Sequence, residues 1–186
     1  MELIIVVGLQ AAGKSTFYAT HFATTHELVS KDLLRNNRNK ERRQAQLIEA
    51  ALRAGRSVIV DNTNATAAVR APLIALGHAY GARVVGYYFP PDVRASRERN
   101  SQRAGRERVP DVAIYATAKK LQPPRYAEGF DALFDVRIAE NGQFEVRERS
   151  SDEEVPTRGS PNVGDEVPYG TAGAASSTTA CSGFGR

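Results

Sequence analysis

Apolar residues along this chain fall into two alternating patterns. Residues 3–7 are an unbroken apolar run closed by a Gly-rich turn, which predicts a strand buried on both faces of a sheet. Residues 41–54 switch to the helical period, with Leu47, Ile48, Ala51 and Leu52 on one face and Gly55 as the stop. Residues 28–30 and 57–60 read as short strands, the latter ending in Asp61. A helix is predicted next, capped near Thr66 and ending at Gly81, with Pro72 delaying its start or kinking it. Residues 84–89 form another β-branched and aromatic run, followed by an Arg-rich helix, a loop around Gly105 and Pro110, and a helix through Lys120. VRIAENGQFEVRE then places two short β runs about Asn141-Gly142, a hairpin signal. Strands separated by helices predict an α/β fold: a mostly parallel sheet with helices on both faces.

Composition divides the chain near Ser150. From residue 151 onward it is rich in Gly, Ser, Thr and Pro and poor in large apolar side chains. Such a segment buries too little surface to offset its ordering entropy, so residues 151–186 are expected to be a disordered tail without a catalytic role, and residues 1–150 one domain. The 186 residues are 41% hydrophobic and 25% charged, ordinary for a globular protein, and the net charge of +4 is compatible with a phosphate-rich partner. A lone cysteine, Cys181, excludes an intrachain disulfide framework. No apolar run has the length of a membrane span and no basic leader precedes residues 2–8, so the expectation is a soluble, cytoplasmic protein.

Gly8-Leu9-Gln10-Ala11-Ala12-Gly13-Lys14-Ser15 satisfies GxxxxGK[ST] and sits between a predicted buried strand and a helix, as that motif requires. Loop N–H groups and the helix N-terminus wrap phosphates, and a Cβ at Gly8 or Gly13 would obstruct the wrap. Gly8, Ala11, Ala12, Gly13, Lys14, Ser15 and Thr16 are therefore candidate ATP-binding residues, with Lys14 on the β/γ oxygens and the Ser15 hydroxyl a ligand of Mg²⁺. An NKxD-type guanine reader is absent. Chain length and a strand ending in Asp61-Asn62, with one carboxylate, weigh against motor and AAA-type ATPases. Phosphoryl transfer to an acceptor fits better.

VSKDLLRNNRNKERR, residues 29–43, supplies an acceptor side. Asp32 and Arg35 follow the second strand, at the sheet edge that faces the ligand crevice in open α/β folds. There Asp32 can take a proton from an acceptor hydroxyl and Arg35 can bind an acceptor phosphate; a surface ion pair is the plainer alternative. Arg38, Lys40, Arg42 and Arg43 read as a solvated helix start. In residues 94–110 the i, i+4 spacing of Arg99 and Arg103 puts both on one helix face, able to close as a lid over a triphosphate and, through Arg103, to stabilise the transferring phosphoryl group.

VDNTN at residues 60–64, Arg70, and VPDVAIYATAKKLQPPRYAEGFDALFDV at residues 109–136 resemble motifs of the polynucleotide 5′-hydroxyl kinases, found in phage enzymes and in the kinase domain of eukaryotic polynucleotide kinase-phosphatases. The resemblance runs over about three-quarters of the chain, from the P-loop to residue 136. It implies a P-loop kinase fold with an Arg-rich lid and ATP-dependent phosphorylation of a 5′-hydroxyl end of DNA or RNA. By the same resemblance Lys14 and Ser15 serve ATP and Mg²⁺, Asp32 is the general base, and Arg35 contacts the acceptor phosphate. Arg99 and Arg103 are lid arginines, and Asp61 lies in the outer shell of the metal. Asn62, Thr63 and Asn64 shape the crevice, with Arg70 on the acceptor side. Ser30-Lys31 stands where the family often has Asn-Arg, so planar bidentate contacts are lost there. The phosphatase signature DxDGT is absent, so a separate phosphatase or ligase partner is expected for the remaining end chemistry.

Two other readings stay open. Nucleoside monophosphate kinases also carry Asp-x-x-Arg after the second strand, as SKDLLR does, although DNTN stands where they have DG[FY]PR. A P-loop module that binds or slowly hydrolyses ATP without an acceptor is the alternative from a different class.

Overall fold

A computed structural model describes residues 1–34, 36–139 and 141–150, with Arg106 described in its backbone alone. Six strands form one sheet in the order β2-β3-β1-β4-β5-β6. β1 (Glu2–Val7), β2 (His26–Val29), β3 (Ser57–Asp61), β4 (Arg83–Tyr88) and β5 (Ala132–Ile138) are parallel, and β6 (Phe144–Glu148) runs antiparallel to β5. β5 and β6 pair as a hairpin, with the Gly142 N–H donating to the Ala139 carbonyl at 2.9 Å. The predicted tail, residues 151–186, lies outside the described residues.

The period of two along each strand sorts the core into two layers. Leu3, Ile5, Val7, Val58, Val60, Val84 and Leu133 point to one face, where they meet Ile48, Ala51 and Leu52 of α2 (Lys40–Arg53) and Leu73 and Ile74 of α3 (Ala67–Ala79). Ile4, Val6, Ile59, Val85 and Val136 point to the other, against Phe17 of α1 (Lys14–His21). β1 is buried almost completely on both sides, which is why its sequence is a continuous apolar run rather than an alternating one. Each such side chain contributes about 1.5–3 kcal/mol when fully buried.

The helices start where capping chemistry permits. The Asn39 side chain accepts from the Arg42 N–H at 2.9 Å to open α2, and Thr66 Oγ1 accepts from the Val69 N–H at 3.4 Å to open α3. Pro72 neither delays nor ends α3. It stands on the exposed side, as does Ala68, whose carbonyl loses its helical donor to the proline and is open to water. Two further helices, α4 (Val93–Ser101) and α5 (Asp111–Lys120), flank a loop with one 3₁₀ turn. The parallel register aligns Val6 with Asp61 and Val29 with Val60, so the C-terminal ends of β1, β2 and β3 meet at one sheet edge.

Candidate active site

At that edge a cavity of about 580 Å³ is lined by Lys14, Ser15, Asp32, Asp61, Asn62, Thr63 and Arg103, among others. β1 runs directly into the loop of residues 8–13, and the Gly8 N–H donates to the Thr63 carbonyl at 3.1 Å. A Cβ on Gly8 would stand 2.8 Å from Phe89 Cβ; one on Gly13, whose φ is 97°, would stand 2.7 Å from Ile138 Cδ1. These glycines are thus demanded by the protein behind the loop, in addition to any phosphate in front of it. Ala11 is buried and left-handed at φ 56°, a conformation that disfavours a Cβ. Gly8 and Thr16 do not line the cavity, whereas Ala11, Ala12 and Gly13 do.

Lys14 begins α1 and is 8% exposed. Its ammonium donates to the Leu9 carbonyl at 2.6 Å and the Gly8 carbonyl at 3.4 Å, so the loop holds its own lysine in place. Burial pushes the Lys14 pKa below the ordinary lysine value; Asp61 pulls it back up, Arg103 lowers it and Asp32 raises it. These couplings describe one mixed cluster of charge. Ser15 Oγ donates to Asp61 Oδ2 at 2.6 Å, pairing the hydroxyl of the loop with the carboxylate that ends β3.

Asp61, Asn62, Thr63 and Asn64 each tie two parts of the site together. Beyond the Ser15–Asp61 and Gly8–Thr63 bonds, Asn62 Oδ1 accepts from the Lys31 N–H at 2.9 Å, and Asn62 Nδ2 donates to Gln44 Oε1 at 2.9 Å. Asn64, 2% exposed and at φ 44°, donates through Nδ2 to the carbonyls of Val6 at 2.7 Å and Val60 at 3.3 Å, joining the ends of β1 and β3. Asparagine is the non-glycine residue that tolerates this backbone best.

The acceptor role expected of Arg70 is corrected by its burial. The side chain is 0% exposed and forms a bidentate pair with Glu128, both N···O distances being 2.7 Å. Its Nη1 donates to the carbonyls of Asn64 at 2.9 Å and Gln122 at 3.0 Å. Glu128 belongs to Ala127-Glu128-Gly129-Phe130, and Phe130 is itself core. Arg70 therefore fastens one motif-bearing stretch to the other from inside the protein, and Asn64 likewise acts on the backbone rather than at the cavity.

Asp32 is exposed on a turn just past β2, where the Leu33 N–H donates to the Ser30 carbonyl and the Leu34 N–H to the Lys31 carbonyl, both at 3.2 Å. Arg35, the expected phosphate contact, lies outside the described residues. Lys40, read from sequence as part of a solvated helix start, is on the cavity wall.

The two lid arginines do not share a helix face. α4 stops at Ser101, and Arg103 follows in irregular chain, its N–H donating to the Asn100 carbonyl at 3.2 Å. Arg103 lines the cavity, while Arg99 does not and donates from Nη1 to the Ala11 carbonyl at 3.3 Å. Sequence reading missed what holds this arrangement. Asn100 is 0% exposed, and its amide donates to the Val109 carbonyl at 2.7 Å and accepts from the Val109 N–H at 3.0 Å, closing the base of the loop that carries Arg103. A lone Asn within an Arg-rich run gives no sign of this.

Among the described residues no group of three or more His, Cys, Asp or Glu side chains forms a metal cage, and no helix is long and apolar enough to cross a membrane. The Ser15–Asp61 oxygen pair nonetheless fits Mg²⁺, which keeps several waters and takes one or two protein ligands beside substrate phosphates.

Known proteins share this architecture. A bifunctional polynucleotide phosphatase/kinase of Schizosaccharomyces pombe (strain 972 / ATCC 24843) is 27% identical over 142 residues, 73% of this chain; the chain spans only 33% of that relative's length. A gluconokinase from Sinorhizobium meliloti 1021 superposes with a TM-score of 0.54 at 18% identity, covering 75% of this chain and 83% of that one. A fungal RNA kinase superposes with a TM-score of 0.54 at 14% identity, covering 75% and 76%. The identities to these structures establish the fold, and the acceptors their names imply differ. A family model described as an AAA domain matches residues 3–124. Within the matched residues β3 ends in a single carboxylate, Asp61. The chain belongs to this AAA domain family, and its fold is that of the P-loop kinases.

Proposed function

We propose that this protein transfers the γ-phosphate of ATP to a 5′-hydroxyl end of DNA or RNA, with Asp32 as the general base. The observation that supports it is one cavity lined together by Lys14, Ser15, Asp61, Asp32 and Arg103. In the step, Asp32 takes the proton of the acceptor hydroxyl as its oxygen forms a bond to the γ-phosphorus. The bridging P–O bond breaks and ADP leaves. Lys14 and Arg103 hold the charge that spreads over the phosphoryl oxygens. Ser15 would hold Mg²⁺ directly and Asp61 from its outer shell, and the ion, when bound with ATP, would neutralise phosphate charge. Asn62 and Thr63 wall the crevice, and Arg35 is assigned to the acceptor phosphate.

The likeness to the polynucleotide phosphatase/kinase, with DNTN in place of DG[FY]PR, favours a polynucleotide acceptor. A small-molecule acceptor is the second reading, favoured by Asp-x-x-Arg after β2 and by the shared fold of the gluconokinase. The test is transfer of labelled γ-phosphate from ATP with Mg²⁺ to 5′-hydroxyl DNA and RNA oligonucleotides, beside nucleoside monophosphates and gluconate. Label on an oligonucleotide is expected, and a separate phosphatase or ligase would then complete end repair. Label only on a small molecule reassigns the acceptor. ATP hydrolysis with nothing labelled sinks the transferase reading.

A further inference from the structure

Gln44 lies on the apolar face of α2, one turn before Ile48, and is 4% exposed. A primary amide buried there costs stability unless it is bonded, and a leucine would fill the same stripe without that cost. Asn62 supplies such a bond: Gln44 Oε1 accepts from Asn62 Nδ2 at 2.9 Å, and Asn62 Oδ1 accepts from the Lys31 backbone N–H at 2.9 Å. The backbone dictates the orientation of both amides. A peptide N–H can only donate, so Asn62 must turn its oxygen to Lys31 and its NH₂ to Gln44, which must then offer its oxygen. The residue after Lys31 is Asp32, whose own N–H donates to Ser30 Oγ at 3.3 Å.

We propose that Gln44 is a positioning residue for the acceptor base. Through Asn62 and the Lys31 amide it holds the turn that presents Asp32 to the cavity. The bonds from Leu33 to Ser30 and from Leu34 to Lys31 shape that turn from within. Asn62 ties it instead to the end of β3, and Gln44 ties Asn62 to α2, a helix with Ile48, Ala51 and Leu52 fixed in the core. Asp32 is exposed, so its place relative to Lys14 depends on how firmly its backbone is held, and a displacement of the order of 1 Å at a reacting group costs up to roughly 100-fold in rate. The relay rests on the reading of Asp32 as the base.

Its test is the full chain carrying Gln44→Leu, which removes the acceptor at similar volume, with Gln44→Met as a second filler if leucine does not fold. Gln44→Glu keeps an oxygen facing Asn62. Gln44→Leu is expected to lower kcat for the labelled acceptor by about ten-fold with KM for ATP unchanged, and to speed hydrogen exchange at the Lys31 amide. Gln44→Glu should restore both. Added to Asp32→Ala, Gln44→Leu should slow the enzyme no further, because it acts only through Asp32. A further full loss in that double variant overturns the relay, as does unchanged Lys31 exchange in Gln44→Leu or damage from Gln44→Glu equal to that from leucine. Wild-type kcat in Asp32→Ala overturns the base itself, and Lys31 exchange then still reports whether Gln44 holds the turn.

Discussion

Lys14, Ser15 and Asp61 stand at the first turn of α1 and at the end of β3, on chain already held by the sheet, whereas Asp32 and Arg103 stand on turns that follow β2 and α4. The first group is fixed by backbone pairing and burial; Lys14 is 8% exposed and Asp61 is 9% exposed. The second is fixed by amide side chains reaching across, Asn62 to the Lys31 N–H and Asn100 to both polar groups of Val109. A donor phosphate needs the same rigid cradle in every P-loop protein, while an acceptor differs from one kinase to the next. Placing Asp32, the proposed acceptor base, on a turn lets that side vary without disturbing the sheet.

The largest effect is expected on the rigid side. Lys14→Ala should lower γ-phosphate transfer by roughly 10⁴-fold or more, since it removes the ammonium that the loop itself holds in place. Turnover near wild type would mean that the cavity cation comes from the turn-borne side, and the contrast between the halves would collapse. Next is the tie beneath both halves. Arg70→Leu leaves Glu128 as an unpaired, largely buried carboxylate and should cost about 3–5 kcal/mol in urea denaturation. Arg70→Leu with Glu128→Leu should recover part of that loss. No recovery would show that the carbonyls of Asn64 and Gln122, rather than the ion pair, are what Arg70 serves.

On the turn-borne side the losses should be smaller and fall on turnover and binding rather than on stability. Asp32→Ala should lower kcat by about 100-fold while ATP binding, followed by calorimetry, is kept. Wild-type kcat in this variant would remove the general-base assignment. Arg103→Ala should lower kcat by roughly ten-fold and weaken ATP binding as well, because Arg103 lines the same cavity as Lys14 and is proposed to hold charge on the phosphoryl oxygens. A change in KM for the acceptor alone would move Arg103 from the donor to the acceptor side.

What was legible in the sequence follows the same division. β1, β3 and β4 showed as continuous apolar runs because parallel strands buried on both faces have no polar side to alternate. The P-loop was legible because its function is written in consecutive residues. The cross-chain ties were not. Arg70 and Glu128 are 58 positions apart, and Asn62 and Gln44 are 18 apart. Each residue alone reads as a polar side chain of ordinary type, and Arg70 was assigned to the acceptor from the motif resemblance alone. Arg103 was misplaced on a helix because no Gly or Pro precedes Gly105 to mark the end of α4. The end is set instead by Asn100 drawing Val109 back, a contact that periodicity does not encode. Only Gln44 left a trace: a polar residue within the stripe that continues through Ile48, Ala51 and Leu52.

The smallest expected effect tests whether the rigid side is as relaxed as its burial implies. Ala11 holds φ 56° within the P-loop, a left-handed conformation that costs an L-residue about 1–2 kcal/mol and a glycine almost nothing. Glycine loses more chain entropy on folding, by about 0.5–1 kcal/mol. The balance predicts that Ala11→Gly stabilises the protein by up to about 1 kcal/mol, read as a higher urea midpoint at unchanged slope. Ala11 is also buried, with its carbonyl accepting from Arg99, so its methyl contributes packing that glycine forfeits. If Ala11→Gly is destabilising, that packing outweighs the strain, and the loop is held by side chains much as the acceptor turn is. If it is stabilising while kcat falls, the alanine carries strain that keeps the loop in the shape a phosphate requires, and the rigid half has given up stability for that fit.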